Sequence, residues 1–247
     1  MAEEIGIVGF GRCGRLAADL LSERGRVLVT DIRDLSREAE SIGVEWASLD
    51  SVASRPSVVL AVPIRTIPDA LEAIRPHLRD GALVVDLASV KVRPMAWMAE
   101  RLPGRVAWAG THPLFGPDTV REQGVAGQRI VVCPAPGGAE TADRVVELAR
   151  ALGLEPTLAS AEEHDRRMAR SQALVFLASR ALRRAGIDEV EPGTPSERRV
   201  VAALRLLEAD TDVLYEDILR LNPYAPERAR ELRDAVEREI ARLGIEG

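Results

Sequence analysis

Lysine is almost missing from these 247 residues: Lys91 is the only one, although arginine is abundant. The skew reflects base composition rather than chemistry, yet it makes Lys91 conspicuous. Cysteine is nearly as rare. Cys13 lies in a glycine turn and Cys133 in the apolar run Ile130-Val131-Val132-Cys133, too few and too poorly matched for a disulfide framework, so a reducing cytoplasm is expected. No apolar run approaches the length of a membrane span. Met1-Ala2-Glu3-Glu4 also lacks the basic flank and long apolar stretch of a signal peptide. There is no excess of positive charge either. A formal net charge of -6 and a pI near 5.3 argue against a surface built to neutralise nucleic-acid phosphates or anionic lipid. With 46% hydrophobic residues the chain can bury a sizeable core. The expected partner is a small molecule, with no nucleic acid and no membrane.

Short β-branched runs alternate with helical stretches over the first 160 residues: Ile5 to Val8, Val27 to Thr30, Val58 to Val62, Leu83 to Val85, Val106 to Ala109 and Ile130 to Cys133, with a last short strand at Glu155 to Leu158. Continuous apolar runs, rather than alternation with a period of two, are what a parallel sheet covered by helices on both faces requires. From Ala161 onward the pattern turns to amphipathic, arginine-rich helices. Glu162 to Ala185 reads as one helix ended by Gly186, breakers at Pro192, Gly193 and Pro195 precede a second from near Ser196, Asp210-Thr211-Asp212 is a restart, and Glu227 to Leu243 is a final helix. The expected domains are 1–160 and 161–247. The arginine clusters around Arg166 and Arg183 read as solvated helix surface, because acidic residues are interleaved with them.

Gly9-Phe10-Gly11-Arg12-Cys13-Gly14 falls between the first predicted strand and a helix from Arg15 to Leu21, the context a dinucleotide-binding turn needs. Gly9 allows the tight turn, Gly11 lets the backbone approach a pyrophosphate, and Gly14 allows helix and strand to pack closely. The helix N-terminus then offers its free N–H groups to the phosphates. Asp31 ends the second strand about twenty residues beyond the glycines, where a carboxylate can accept hydrogen bonds from ribose hydroxyls. The fold class expected is therefore α/β: an N-terminal Rossmann domain with a doubly wound, mostly parallel sheet, followed by an all-α C-terminal dimerisation domain. NAD is the expected cofactor. Arg33 leaves NADP as the second choice, although Asp31 would repel a 2′-phosphate.

Three further segments follow strands at the edge where such sheets bind ligands: Ala61-Val62-Pro63, Asp86-Leu87-Ala88-Ser89-Val90-Lys91, and Gly110-Thr111-His112-Pro113-Leu114-Phe115-Gly116-Pro117-Asp118. A histidine placed just after a strand, between a glycine and a proline, is positioned for catalysis. Along the predicted long helix, His164, Met168, Gln172 and Phe176 form an i, i+4 row.

The Ser-Val-Lys and His-Pro-x-Phe-Gly-Pro-Asp segments, followed by Glu163-His164-Asp165-x-x-Met168-Ala169-x-x-Gln172-Ala173-Leu174 and then Pro195, Arg198 and Leu214-Tyr215-x-Asp217-Ile218, resemble the prephenate dehydrogenase family of tyrosine biosynthesis. The resemblance is strongest to the dehydrogenase portion of bacterial enzymes fused to chorismate mutase, with neither a mutase segment nor a regulatory domain expected here. It implies an NAD-dependent oxidative decarboxylation in which hydride leaves ring carbon 4 of a cyclohexadiene and the ring carboxylate departs as carbon dioxide. On this resemblance His112 is the general base, Ser89 orients the carbon-4 substituent and Lys91 adds positive charge nearby. Arg198 clamps a carboxylate of the dicarboxylate substrate, a task suited to guanidinium geometry. Gln172 is a substrate contact. His164 is either a second such contact or a structural residue.

Many members of the family carry histidine where this chain has Phe176. Phenylalanine neither titrates nor hydrogen-bonds, so an altered substrate is expected: 4-amino-4-deoxyprephenate or arogenate beside prephenate itself. Two other readings stay open, a Rossmann and helical-domain reductase of imines or 3-hydroxy acids, and a non-catalytic NAD-binding module. The amphipathic helices of the C-terminal domain point to a homodimer.

Overall fold

The computed structural model describes residues 3–187, 193–208 and 210–245. Two compact units divide the chain, Met1–His164 and Asp165–Gly247. The first contains strands β1 (Glu3–Val8), β2 (Gly25–Thr30), β3 (Glu45–Trp46), β4 (Ser57–Leu60), β5 (Leu83–Asp86), β6 (Ala107–Pro113), β7 (Arg129–Pro134) and β8 (Glu155–Leu158). Between them run helices α1 (Arg12–Ser22), α2 (Ser36–Ser41), α3 (Leu49–Ala53), α4 (Ile67–Ile74), α5 (Val92–Arg101), α6 (Pro117–Gln123) and α7 (Ala139–Ala151).

The strands form one sheet in the order β3-β2-β1-β4-β5-β6-β7-β8. Every pair is parallel except β6 with β7, which are antiparallel from Ala109↔Pro134 to Pro113↔Ile130. The order reverses at β1, so the crevice beyond the carboxyl ends of β1 and β4 is the topological switch point at which such sheets take ligands. Burial follows the expected logic. Ile130, Val131, Val132 and Cys133 of β7 are all buried, because helices cover both faces. Ile5, Ile7, Val27 and Val29 pack with Ala18 and Leu21 of α1 in one cluster; Leu83, Ala109 and Val132 pack with Ala142, Val145 and Val146 of α7 in another.

Two local readings are corrected, and one strand, β3, is added. Strand β6 extends through His112 to Pro113 rather than stopping at Ala109, because antiparallel pairing with β7 supplies partners for four more residues. The two-residue β3 is too short for any periodicity to show. The helix predicted from Glu162 to Ala185 is two helices, α8 (Ala161–Arg170) and α9 (Gln172–Arg184). Ser171 interrupts them with φ -120° and ψ -84°, and its Oγ donates to the Arg167 carbonyl at 2.9 Å. Such a bond to the i-4 carbonyl competes with regular helix geometry.

The second unit continues with α10 (Pro195–Glu208), α11 (Asp212–Leu221) and α12 (Ala225–Arg242). Thr211 caps α11 by accepting from Leu214 N at 3.2 Å. Asn222, fully buried, donates to the Asp165 carbonyl at 2.8 Å and accepts from Tyr224 N at 2.9 Å, fixing the turn between α11 and α12. The core of this unit gathers Ala173, Phe176, Ile218 and Ala225. The predicted breaker Pro192 lies outside the described residues.

Candidate active site

Sterics shape the glycine turn. Gly9 has φ +96°, and a Cβ there would collide with the carbonyl of Ala61 at the end of β4. A Cβ on Gly14 would strike the Gly9 carbonyl oxygen, whereas one on Gly11 would meet nothing within 4 Å. The first and third glycines are thus required by packing, and the second faces open space at the start of α1, where the positive end of the helix dipole favours an anion. Phe10 is fully buried beneath the turn, and Cys13 is exposed on it. Arg12 pairs with Asp118, linking the turn to the start of α6.

Asp31 leaves β2 one strand away. Its carboxylate accepts from Phe10 N at 2.8 Å and from Arg33 N at 3.1 Å, with the Arg33 guanidinium at 3.3 Å. Burial alone would raise its pKa. The two backbone hydrogen bonds and Arg33 outweigh that and hold it below the usual aspartate value, so the group is ionised and still has lone pairs for ribose hydroxyls. Ala61, Val62 and Pro63 follow β4, with Ala61 N donating to the Val8 carbonyl at 2.8 Å, so this segment borders the turn.

Asp86 and Lys91, both fully buried, form an ion pair at the end of β5. Asp86 also accepts from Ala88 N at 3.1 Å and Thr111 N at 3.2 Å, and its backbone carbonyl accepts from the Thr111 hydroxyl. The Lys91 ammonium donates in addition to the Thr111 carbonyl. Gly110 is needed beside them, since a Cβ there would press on Met95 and on the Lys91 stem. The pair therefore fastens β5 to β6 at the residue before His112. Ser89 sits half-buried in the same loop.

His112 is 3% exposed and His164 1% exposed. Their Nδ1 and Nε2 atoms lie 2.8 Å apart, with ring centroids at 5.0 Å and planes at 74°. Burial first, then the Coulombic cost of a positive charge beside His164 and Lys91, pushes the His112 pKa well below that of an ordinary histidine. His112 is consequently a neutral imidazole at physiological pH, able to take a proton. His164 reaches it because the chain turns sharply after β8. Ser160 N donates to the Glu163 carboxylate at 3.0 Å and Glu163 N to Ser160 Oγ at 3.1 Å, a reciprocal capping box that starts α8 just ahead of His164. The Ser160-x-x-Glu163 spacing marks this junction in the sequence.

The carboxyl ends of β2, β1, β4, β5 and β6 thus present Asp31, the glycine turn, Ala61–Pro63, Ser89 and His112 in one row. At about 4.8 Å per strand the row spans roughly 19 Å. A ligand held at Asp31 reaches His112 only when extended along it. The remaining candidates lie in the second unit. Arg198 is exposed on α10 and donates to the Gly193 carbonyl. Gln172 begins α9 with its side-chain oxygen buried and unpaired among the described residues. Phe176 lies in the apolar core of that unit.

A glycine turn at the switch point of a parallel sheet, with an ionised carboxylate one strand away, defines a nucleotide-binding Rossmann protein. Comparison with known proteins narrows the class to an oxidoreductase family. The chain belongs to the prephenate dehydrogenase family, residues 17–155 matching its nucleotide-binding domain, described as "Prephenate dehydrogenase, nucleotide-binding domain". A probable arogenate/prephenate dehydrogenase of Methanocaldococcus jannaschii is 27% identical over 231 residues, 88% of this chain and 51% of that protein. The chain therefore spans about half of that relative's length. A 4-amino-4-deoxyprephenate dehydrogenase of Streptomyces pristinaespiralis is 30% identical over 227 residues, 89% of this chain and 70% of that one. In fold, the chain is similar to a prephenate dehydrogenase from A. aeolicus solved with hydroxyphenyl propionate and NAD+, with a TM-score of 0.78 at 20% identity over 99% of this chain and 90% of that one. Among the described residues no helix is long and apolar enough to cross a membrane.

Proposed function

We propose that the chain catalyses the NAD-dependent oxidative decarboxylation of a prephenate-type cyclohexadiene: prephenate, arogenate or 4-amino-4-deoxyprephenate. The observation that carries this reading is His112, a buried imidazole kept neutral at the carboxyl end of β6. NAD held by the glycine turn supplies the acceptor for the hydride that leaves ring carbon 4. His112 takes the proton of the carbon-4 substituent as that carbon is oxidised. The ring carboxylate leaves as carbon dioxide, its bonding pair stays in the ring, and the proton returns to the substituent of the aromatic product. Ser89 orients that substituent, while Lys91 acts on His112 through its charge. Arg198 is the carboxylate clamp and Gln172 a substrate contact. The ionised Asp31, with Arg33 drawn onto it, favours NAD over NADP, since a 2′-phosphate would be repelled.

The name of the Streptomyces pristinaespiralis relative supports the amino substrate as a candidate, as does the loss of a polar group at Phe176. The reading also includes a reducing cytoplasm and a homodimer through the helical unit. For the dimer, the support is a set of exposed apolar side chains there, Val175, Leu182, Val200, Val236 and Ile240. The test is NADH production from each of the three substrates. Turnover of at least one, lost in His112→Asn, is expected; no turnover of any would overturn the reading, and a clear preference for prephenate would remove the altered-substrate part.

A further inference from the structure

We propose that His164 is a positioning residue that fixes the tautomer and ring plane of His112, so that His112 presents an unprotonated Nε2 to the substrate. The proposal rests on His112 being the base of the reaction above.

A neutral imidazole carries one proton, and a general base needs the working nitrogen to be the bare one. Nδ1 of His112 lies 2.8 Å from Nε2 of His164, so it is committed to a hydrogen bond. If the proton sits on Nδ1 of His112 and is donated to His164, Nε2 of His112 keeps its lone pair. The opposite arrangement would put a proton on that nitrogen and leave nothing to accept one. When His112 becomes an imidazolium during turnover, the same bond turns charge-assisted and strengthens. His164 would thus do with a neutral ring what a carboxylate does in a hydrolase triad.

The placement is built, not incidental. The His164 ring is 1% exposed and meets His112 edge to face. Its backbone N donates to the Ser160 carbonyl at 3.0 Å inside the turn locked by the Ser160–Glu163 capping box. On the other side, Asp86 and Lys91 hold Thr111 and hence the backbone of His112. Both rings are fixed from separate elements, 52 residues apart in sequence.

His164→Leu removes the acceptor, whereas His164→Gln places a carbonyl oxygen near the lost nitrogen. Expected for His164→Leu is a fall in kcat of roughly 10- to 100-fold with KM changed less than about twofold, part of the general-base contribution, and substantial recovery in His164→Gln. A rise in KM with kcat retained would make His164 a substrate contact and overturn the proposal. Long-range proton–nitrogen correlation spectra of histidine-labelled protein provide a readout independent of activity. The Nδ1-H tautomer of His112 is expected in the parent protein and a mixture in His164→Leu. An Nε2-H tautomer in the parent overturns the proposal even if turnover is found, and the Nδ1-H tautomer without turnover of any cyclohexadiene overturns the functional reading alone.

Discussion

His112 and Arg198 are held in opposite ways. His112 lies in a strand paired on both sides, its neighbour Thr111 fastened by a buried ion pair and its ring met by a second buried ring. Arg198 stands exposed on α10, its guanidinium resting on the carbonyl of Gly193. The groups of the first unit proposed to carry the chemistry are therefore preorganised before any ligand arrives, which is where electrostatic catalysis gains most. Arg198, the proposed clamp of the second unit, is by contrast exposed and held by a backbone carbonyl, as suits the recognition proposed for it. The three tryptophans, Trp46, Trp97 and Trp108, all lie in the first unit and both tyrosines, Tyr215 and Tyr224, in the second, so optical unfolding distinguishes the two.

Breaking the buried pair should have the largest effect. Lys91→Met leaves Asp86 as an uncompensated buried carboxylate, a change that costs about 3–5 kcal/mol. The tryptophan-reported urea midpoint is expected to fall sharply, with far-ultraviolet dichroism showing the helical unit less affected. An unmoved tryptophan transition would mean that the pair does not preorganise the first unit.

The pH profile probes the same rigidity. Because the folded pKa of His112 is depressed, the ring stays a base as pH falls through 6.5, and the acid limb of kcat/KM is expected below the ordinary histidine value. Stability obeys the matching sign. Above about pH 6.5 neither folded nor unfolded His112 holds the extra proton and its contribution is complete. As pH falls below that, the unfolded chain binds a proton the folded site resists, and the contribution is lost toward the folded pKa. An acid limb at or above 6.5 would place His112 in a solvated, unlocked environment.

How much of this was legible in the sequence follows from how local each feature is. Gly9, Gly14 and Asp31 answer to sterics and hydrogen bonds within one strand-turn-helix unit, so their spacing carries the information. Ser171 carries little, because nothing in its neighbourhood distinguishes a serine that breaks a helix from one that rides on it. Lys91 was conspicuous, yet its ammonium is spent on Asp86 and Thr111, a partnership across strands that spacing alone does not reveal. The meeting of His112 with His164 is non-local in the same sense. Phe176 packs with Ala173, Ile218 and Ala225, contacts that its place in a helix row does not reveal, since the face a helix turns inward is settled by its neighbours.

The smallest expected effect sharpens the contrast most. Two capping boxes of the same kind start α8 and α10: Ser160 with Glu163, and Thr194 with Glu197, whose backbone N donates to Thr194 Oγ1 at 3.2 Å while its carboxylate accepts from Thr194 N at 3.2 Å. Removing either hydroxyl, in Ser160→Ala or Thr194→Ala, costs about 1 kcal/mol. The thermodynamic loss is matched, but the cargo differs. The first cap sets His164 against His112, so Ser160→Ala should lower kcat severalfold with KM nearly constant. The second sets Arg198, whose backbone N donates to the Thr194 carbonyl at 3.1 Å, so Thr194→Ala should raise KM with kcat nearly constant. If both variants moved the same kinetic constant, the division between a preorganised reaction centre and an adaptable recognition surface would fail, however well each unit folded.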